Sequence, residues 1–244
     1  MRGPDPLRVL VTRPLPGAAA TAARLEGMGH EAVILPLTRT VPLPAAEVAP
    51  EGTDLVAVTS ANAVRHAPPG LIAVLRPLPF VAVGGATADS LRSAGIADVT
   101  DVDGDAADLA RAIVGRSGPG SRVLYLCGRV RRPDLEAGLT QVGLAVDALE
   151  TYDTVDVDHA AEALERVMAG GKIDAVLVHS ANAARRLSGL LESRIAVRAL
   201  AAATFCCISS RVADALRLPP GARVMISYRP NEDGMLRLVG NLPP

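Results

Sequence analysis

Short, wholly apolar runs alternate along this chain with Ala- and Leu-rich stretches of helical length. Val9-Leu10-Val11, Leu55-Val56-Ala57-Val58 and Phe80-Val81-Ala82-Val83 show no polar alternation. Such runs predict strands buried on both faces, as a parallel sheet with helices on each side requires. The stretch 18–28 is followed by Gly29 and predicts a helix that the glycine ends. Read onward, the pattern is β-α-β-β-α-β-α, twice. It predicts doubly wound α/β sheets with right-handed crossovers.

The two halves are copies. Arg8-Val9-Leu10 recurs 114 positions later as Arg122-Val123-Leu124, and without a gap Leu25 falls on Leu139, Gly29 on Gly143, Leu35 on Leu149, and Thr40-Val41 on Thr154-Val155. At an offset of 120, Asp54 through Arg65, which holds Ser60-Ala61-Asn62, recurs as Asp174 through Arg185 with Ser180-Ala181-Asn182. A third match at an offset of 125 sets Ala88-Asp89 and Leu91-Arg92 against Ala213-Asp214 and Leu216-Arg217. Three matches in one order, separated by loop-sized drifts, describe a duplication. The Pro-rich stretch 36–50 and the segment 150–158 hold equivalent places and read as extended connectors.

In doubly wound sheets ligands bind beyond the carboxyl ends of the strands. Ser60 stands there as a predicted N-cap, and Ser180 repeats it; free N–H groups at such a turn receive anions. Each serine also reads simply as a helix cap. The turn Val83-Gly84-Gly85-Ala86-Thr87 lacks the spacing of a dinucleotide fingerprint, and there is no Walker lysine. Asp101, Asp103 and Asp105 lack the remaining positions of a calcium loop. His30, His66, His159 and His179 show no metal-ligand spacing and no Ser/His/Asp set; His179 takes the place of Thr59 and reads as a polar rim residue.

Composition narrows the class. Of 244 residues 49% are hydrophobic, so a sizeable core is available, while 25 basic against 26 acidic residues leave a net charge of −1. That balance gives no footprint for nucleic acid or an anionic membrane, and aromatics at 2% argue against base stacking. Cys127, Cys206 and Cys207 have no metal spacing and suit a reducing compartment. Adjacent Cys206 and Cys207 are expected on opposite faces of one strand. The opening run Arg8 to Arg13 is too short for a signal peptide or a membrane span, so a cytoplasmic, monomeric protein is expected.

Taken as a set, these segments resemble uroporphyrinogen-III synthase. The resemblance rests on Val11-Thr12-Arg13-Pro14, on Thr59-Ser60-Ala61-Asn62-Ala63-Val64, on Gly84 and Thr87 within 83–88, and on Arg132, Leu135 and Gly143 followed by Tyr152. It spans nearly the whole chain and implies two similar Rossmann/flavodoxin-like domains. One is discontinuous, 1–38 with 155–244; the other, 45–149, is inserted; 39–44 and 150–154 form a two-stranded connector, with the active site in the cleft between domains. The implied reaction is closure of hydroxymethylbilane, a linear tetrapyrrole, with loss of water and inversion of ring D, without metal or organic cofactor.

The substrate carries eight carboxylates, so cationic side chains and free N–H groups are expected around it. Arg13, Arg39, Arg65, Arg129, Arg131, Arg132, Arg185 and Arg186 lie at or near predicted strand ends, where they also read as solvated surface charges. The expected substrate contacts are Arg13, Ser60, Asn62, Arg65, Gly84, Thr87, Arg129, Ser180, Asn182 and Ser209. Departure of hydroxide needs a proton donor, and the resemblance points to Tyr152. Two features depart from the family. Ser209 and Val212 stand where it has glycine and threonine, with Arg211 between them, and Pro68-Pro69 cut short the helix after Asn62. These departures motivate the alternative of a catalytically silent homologue that senses a ligand or binds a partner.

Overall fold

The structure, a computed structural model, describes residues 5–45, 47, 50–102, 106–118, 120–131 and 133–242. The chain forms two compact units, Met1–Arg39 with Val155–Pro244, and Thr40–Thr154.

The first unit opens with β1 (Arg8–Val11), α1 (Gly17–Gly27) and β2 (Glu31–Ile34). It resumes with α7 (Ala161–Met168), β9 (Ala175–Val178), α8 (Ala181–Leu190), α9 (Arg194–Leu200), β10 (Thr204–Cys207), α10 (Ser210–Asp214), β11 (Arg223–Ile226) and α11 (Glu232–Gly240). Its sheet has the order β11-β10-β9-β1-β2, with parallel pairing throughout. Val9, Val11, Leu177 and Cys206 pack against Leu25 of α1 and Met235 of α11. Leu10, Val176, Val178 and Cys207 pack on the other face, against Leu164 of α7 and Leu187 of α8. Cys206 and Cys207 thus enter opposite cores, as the strand period demands. The crossover from β1 to β2 covers one face and that from β9 to β10 the other, so winding reverses between β1 and β9. That reversal is where an open α/β sheet leaves a crevice.

The second unit contains β4 (Thr53–Val58), α2 (Ala61–His66), α3 (Pro69–Leu75), β5 (Phe80–Val83), α4 (Gly85–Ser93), β6 (Val99–Val102), α5 (Ala106–Arg116), β7 (Arg122–Gly128) and α6 (Asp134–Gln141). The long strand β8 (Ala145–Asp156) and the short β3 (Thr38–Pro42) complete its sheet, ordered β3-β8-β7-β4-β5-β6. Pairing is parallel from β8 to β6. At the β3 edge, Leu43 N–H donates to the Thr151 carbonyl at 2.9 Å and Val157 N–H to the Leu37 carbonyl at 3.0 Å, an antiparallel arrangement. Helices α2 to α4 cover one face and α5 and α6 the other. Here winding reverses between β7 and β4.

The duplication holds at the level of register. Leu10 pairs with Val176 in one sheet and Leu124 with Val56 in the other, so offsets of 114 and 120 carry one pair onto the other. Residues 61–70 and 181–190 show the same succession of buried and exposed positions. Yet α2 ends at His66 where α8 runs ten residues. Ala67 and Pro68 are extended (ψ 138° and 137°), because a residue before proline avoids the helical region, and α3 then starts on a proline.

The pattern β-α-β-β-α-β-α is corrected: each half ends in one further β-α, β6-α5 and β11-α11, the first half adds β3 between β2 and β4, and the second places α7 between β8 and β9. Strands β6 and β11 lie at sheet edges, where polar residues such as half-buried Thr100 and exposed Asp101 and Arg223 interrupt or shorten the apolar run.

Candidate functional site

The carboxyl ends of β4 and β7 hold the first group of polar side chains. Thr59 follows β4, and its hydroxyl lies 2.8 Å from the phenol oxygen of Tyr125 on β7, a bond across the point where winding reverses. Ser60 caps α2, its hydroxyl accepting from Asn62 N–H at 3.2 Å, and Asn62 Oδ1 accepts from Arg65 Nη1 at 2.9 Å. Ser60, Asn62 and Arg65 are therefore one linked turn.

Tyr152 joins this group from β8. Gly128 is its partner in the ladder, and a Cβ on that glycine would lie 2.6 Å from the phenol's Cζ. The missing side chain makes the room for the ring. The ring also stacks on His66, centroids 5.9 Å apart and planes at 27°, and His66 Nε2 lies 2.9 Å from the Thr40 hydroxyl. Thr151 donates to the Ala63 carbonyl at 2.9 Å, fastening β8 to α2. Burial raises the Tyr152 phenol above its ordinary pKa, opposed by the neighbouring Ser60 hydroxyl. Burial also raises Tyr125, with the Thr59 hydrogen bond acting against it. Burial, with help from Arg65, lowers His66, so its imidazole is neutral at pH 7.

Gly84 ends β5 with φ +79°, which glycine alone adopts without strain, and Thr87 is buried in the first turn of α4. Its counterpart Ser209 is extended, φ −159° and ψ 164°, and caps α10 without a side-chain hydrogen bond. Val212, which matches Thr87, is buried among apolar side chains.

Several of the arginines singled out in the sequence are engaged in ion pairs. Arg129 meets Glu150 at 3.2 Å and Asp153 at 3.3 Å; Arg131 meets Glu150 at 2.7 Å and Glu136 at 3.1 Å. Arg186 pairs with Asp156 and Asp158. Arg39, Arg65, Arg185 and Arg211 are exposed and have no ion pair among the described residues, and Arg132 lies outside them.

At the reversal point of the first unit, Arg13 follows β1 and His179 follows β9. Arg13 Nη1 lies 2.6 Å from Glu232 Oε2, and Glu232 Oε1 accepts from the Thr21 hydroxyl at 2.6 Å. His179 Nε2 approaches Glu232 Oε2 to 3.3 Å. His179 is not a rim residue, since its side chain is only 9% exposed. Burial lowers its pKa, partly offset by Glu232. Burial pushes the Glu232 carboxyl up, but His179, Thr21 and Arg13 together bring it down to about 2. Next to His179, Ser180 caps α8 by accepting from Ala183 N–H at 3.1 Å, and Asn182 donates to Asp156 at 3.3 Å.

Sequence reasoning missed Tyr125, His66 and Glu232. Tyr125 sits inside an apolar strand run and Glu232 is 219 positions from Arg13, so periodicity and spacing carried no signal for either. Among the described residues no group of acidic, His and Cys side chains could hold a metal, and no helix is long and apolar enough to cross a membrane.

Two doubly wound units, each with polar side chains gathered where its winding reverses, define a duplicated α/β protein of the ligand-binding type. The family described as uroporphyrinogen-III synthase HemD matches residues 19–237. The chain belongs to the uroporphyrinogen-III synthase family. Among solved structures, uroporphyrinogen-III synthetase from Helicobacter pylori is 17% identical with a TM-score of 0.64, over 96% of this chain and 98% of that one. A mutant uroporphyrinogen III synthase from the extremely thermophilic bacterium Thermus thermophilus is 21% identical with a TM-score of 0.53, over 96% and 97%. At these identities the likeness is one of fold. No protein with a curated description matches the chain.

Proposed function

We propose that the protein is a uroporphyrinogen-III synthase, a lyase that closes hydroxymethylbilane with inversion of ring D and loss of water. Membership of the family supports the reaction, and one observation supports the chemistry: the phenol of Tyr152, seated over Gly128 beside Ser60 and His66. A phenol is protonated at pH 7, the form a general acid needs, and burial shifts its pKa further up. Tyr152 donates its proton as the C–O bond breaks and hydroxide departs as water. The Ser60 hydroxyl then donates to the phenolate. Ring closure returns a proton, which restores the phenol.

Binding is assigned to Ser60, Asn62, Arg65, Gly84, Thr87 and Arg129 of one unit and Arg13, Ser180, Asn182 and Ser209 of the other. Arg65 is exposed and turned by Asn62, a fit for a substrate carboxylate. The protein acts as a cytoplasmic monomer on this small molecule, without a cofactor. The buried free thiols, each pushed up to about 12 by burial, fit a reducing compartment. The silent-homologue alternative is not favoured, because the family match extends over residues 19–237.

The test is incubation with freshly made hydroxymethylbilane and separation of the isomers. Wild type is expected to give the ring-inverted product, and Tyr152→Phe to give it at least tens of fold more slowly, since a positioned general acid contributes ~10²–10⁴-fold. Equal rates would reduce Tyr152 to a packing residue.

A further inference from the structure

Glu232, the first residue of α11, is used by no step above, yet both its carboxylate oxygens are spent on Arg13 and Thr21. Arg13 is held from several sides. Its Nη1 faces Glu232 at 2.6 Å and the Thr21 hydroxyl at 3.4 Å. Its guanidinium lies over Gly17, where a Cβ would come within 2.8 Å of Nε and 3.1 Å of Nη2. Nε and Nη2 make no hydrogen bond among the described residues, and the side chain is 33% exposed. The guanidinium is therefore fixed in place with two nitrogens unspent, beside β9 at the reversal of winding. Neither ring nitrogen of His179 has a hydrogen-bond partner among the described residues, although Nε2 lies 3.3 Å from Glu232 Oε2. The buried imidazole thus lies against one oxygen of a carboxylate whose side chain is itself partly exposed.

We propose that Glu232 and His179 are positioning residues that aim Arg13 at one carboxylate of the substrate. This rests on the tetrapyrrole reading above. An arginine recognises a carboxylate through two parallel N–H bonds, so orientation of its plane decides how well it binds. Glu232 takes Nη1 and sets that plane, Thr21 holds the second oxygen of Glu232, and His179 packs against the first. A mere staple of α11 onto β1 would alter stability alone, whereas an aimed Arg13 links Glu232 to substrate affinity.

Steady-state kinetics of ring-inverted product formation separate the two. Glu232→Gln and Arg13→Ala are each expected to raise KM about tenfold with kcat within about twofold, as loss of one charged hydrogen-bonded contact would. The double variant is expected to match Arg13→Ala alone, because Glu232 acts through Arg13. A Glu232→Gln protein that melts lower but keeps its KM overturns the proposal, as do effects that multiply in the double variant. If Glu232→Gln does not fold, Thr21→Val takes its place. It is expected to raise KM about threefold, and an unchanged KM overturns the proposal. If wild type makes no ring-inverted isomer, the activity reading fails separately, and the same variants are titrated with uroporphyrin, an octacarboxylate. Equal weakening by Arg13→Ala and Glu232→Gln sustains the proposal; unchanged binding, or none by wild type, overturns it.

Discussion

Gly128 and Tyr152 face each other across the β7–β8 ladder, so closely that the glycine's missing Cβ is the space the phenol occupies. Gly128→Ala is expected to push the ring off His66 and away from Ser60. Overpacking of this kind costs about 1–3 kcal/mol, so the melting temperature should fall. Formation of the ring-inverted isomer should fall at least tenfold. Isomer analysis and a thermal melt check both, and wild-type turnover in a folded Gly128→Ala protein would separate the phenol's placement from catalysis.

The bond between Thr59 and Tyr125 spans the reversal point of the second unit. Tyr125→Phe keeps the buried ring and leaves the Thr59 hydroxyl without this partner, at a cost of about 0.5–1.5 kcal/mol. Chemical denaturation measures it. Thr59→Val in the same background should add less than it does alone, since the two residues share one hydrogen bond.

Glu232 predicts how stability depends on acid. Its carboxyl is lowered from the ordinary 4.5 to about 2 in the folded protein, so its stabilisation is present in full above the ordinary value and is lost as pH falls toward 2. Discounted for its partial exposure, the contribution is roughly 2 kcal/mol. Between pH 6 and pH 3 the melting temperature of wild type should therefore drop more steeply than that of Glu232→Gln. Parallel slopes would show that Glu232 titrates normally.

Restoring the family's second turn should not improve the protein. Gly84 needs glycine at φ +79°, but Ser209 occupies an extended backbone that any residue adopts, and Val212 fills an apolar site. Ser209→Gly is expected to lower stability by about 0.5–1 kcal/mol through the freer unfolded chain, and Val212→Thr to lower it further by burying a hydroxyl. Neither change should speed product formation. A double variant that turns over faster than wild type would show instead that the family's turn contributes to binding.

The duplication was legible in the sequence, because strands buried on both faces must be apolar throughout, and their repeats at offsets of 114 and 120 keep register: Leu10 with Val176, Leu124 with Val56. The caps Ser60 and Ser180 were legible for a similarly local reason, since a hydroxyl at a helix start bonds a backbone N–H only two or three residues on. Edge strands β6 and β11 were not, because one exposed face admits polar residues and breaks the run. Nor was the partnership of Arg13 with Glu232 and His179, or of Tyr125 with Thr59. Those contacts join residues 66 to 219 positions apart, and no local period encodes which strand ends become neighbours when a sheet reverses its winding. The sequence by itself determined the elements, their repetition and the helix caps through short-range sterics and hydrogen bonds. Only the tertiary structure decided which charges neutralise one another and which phenol is buried beside which hydroxyl, because strand order sets those distances.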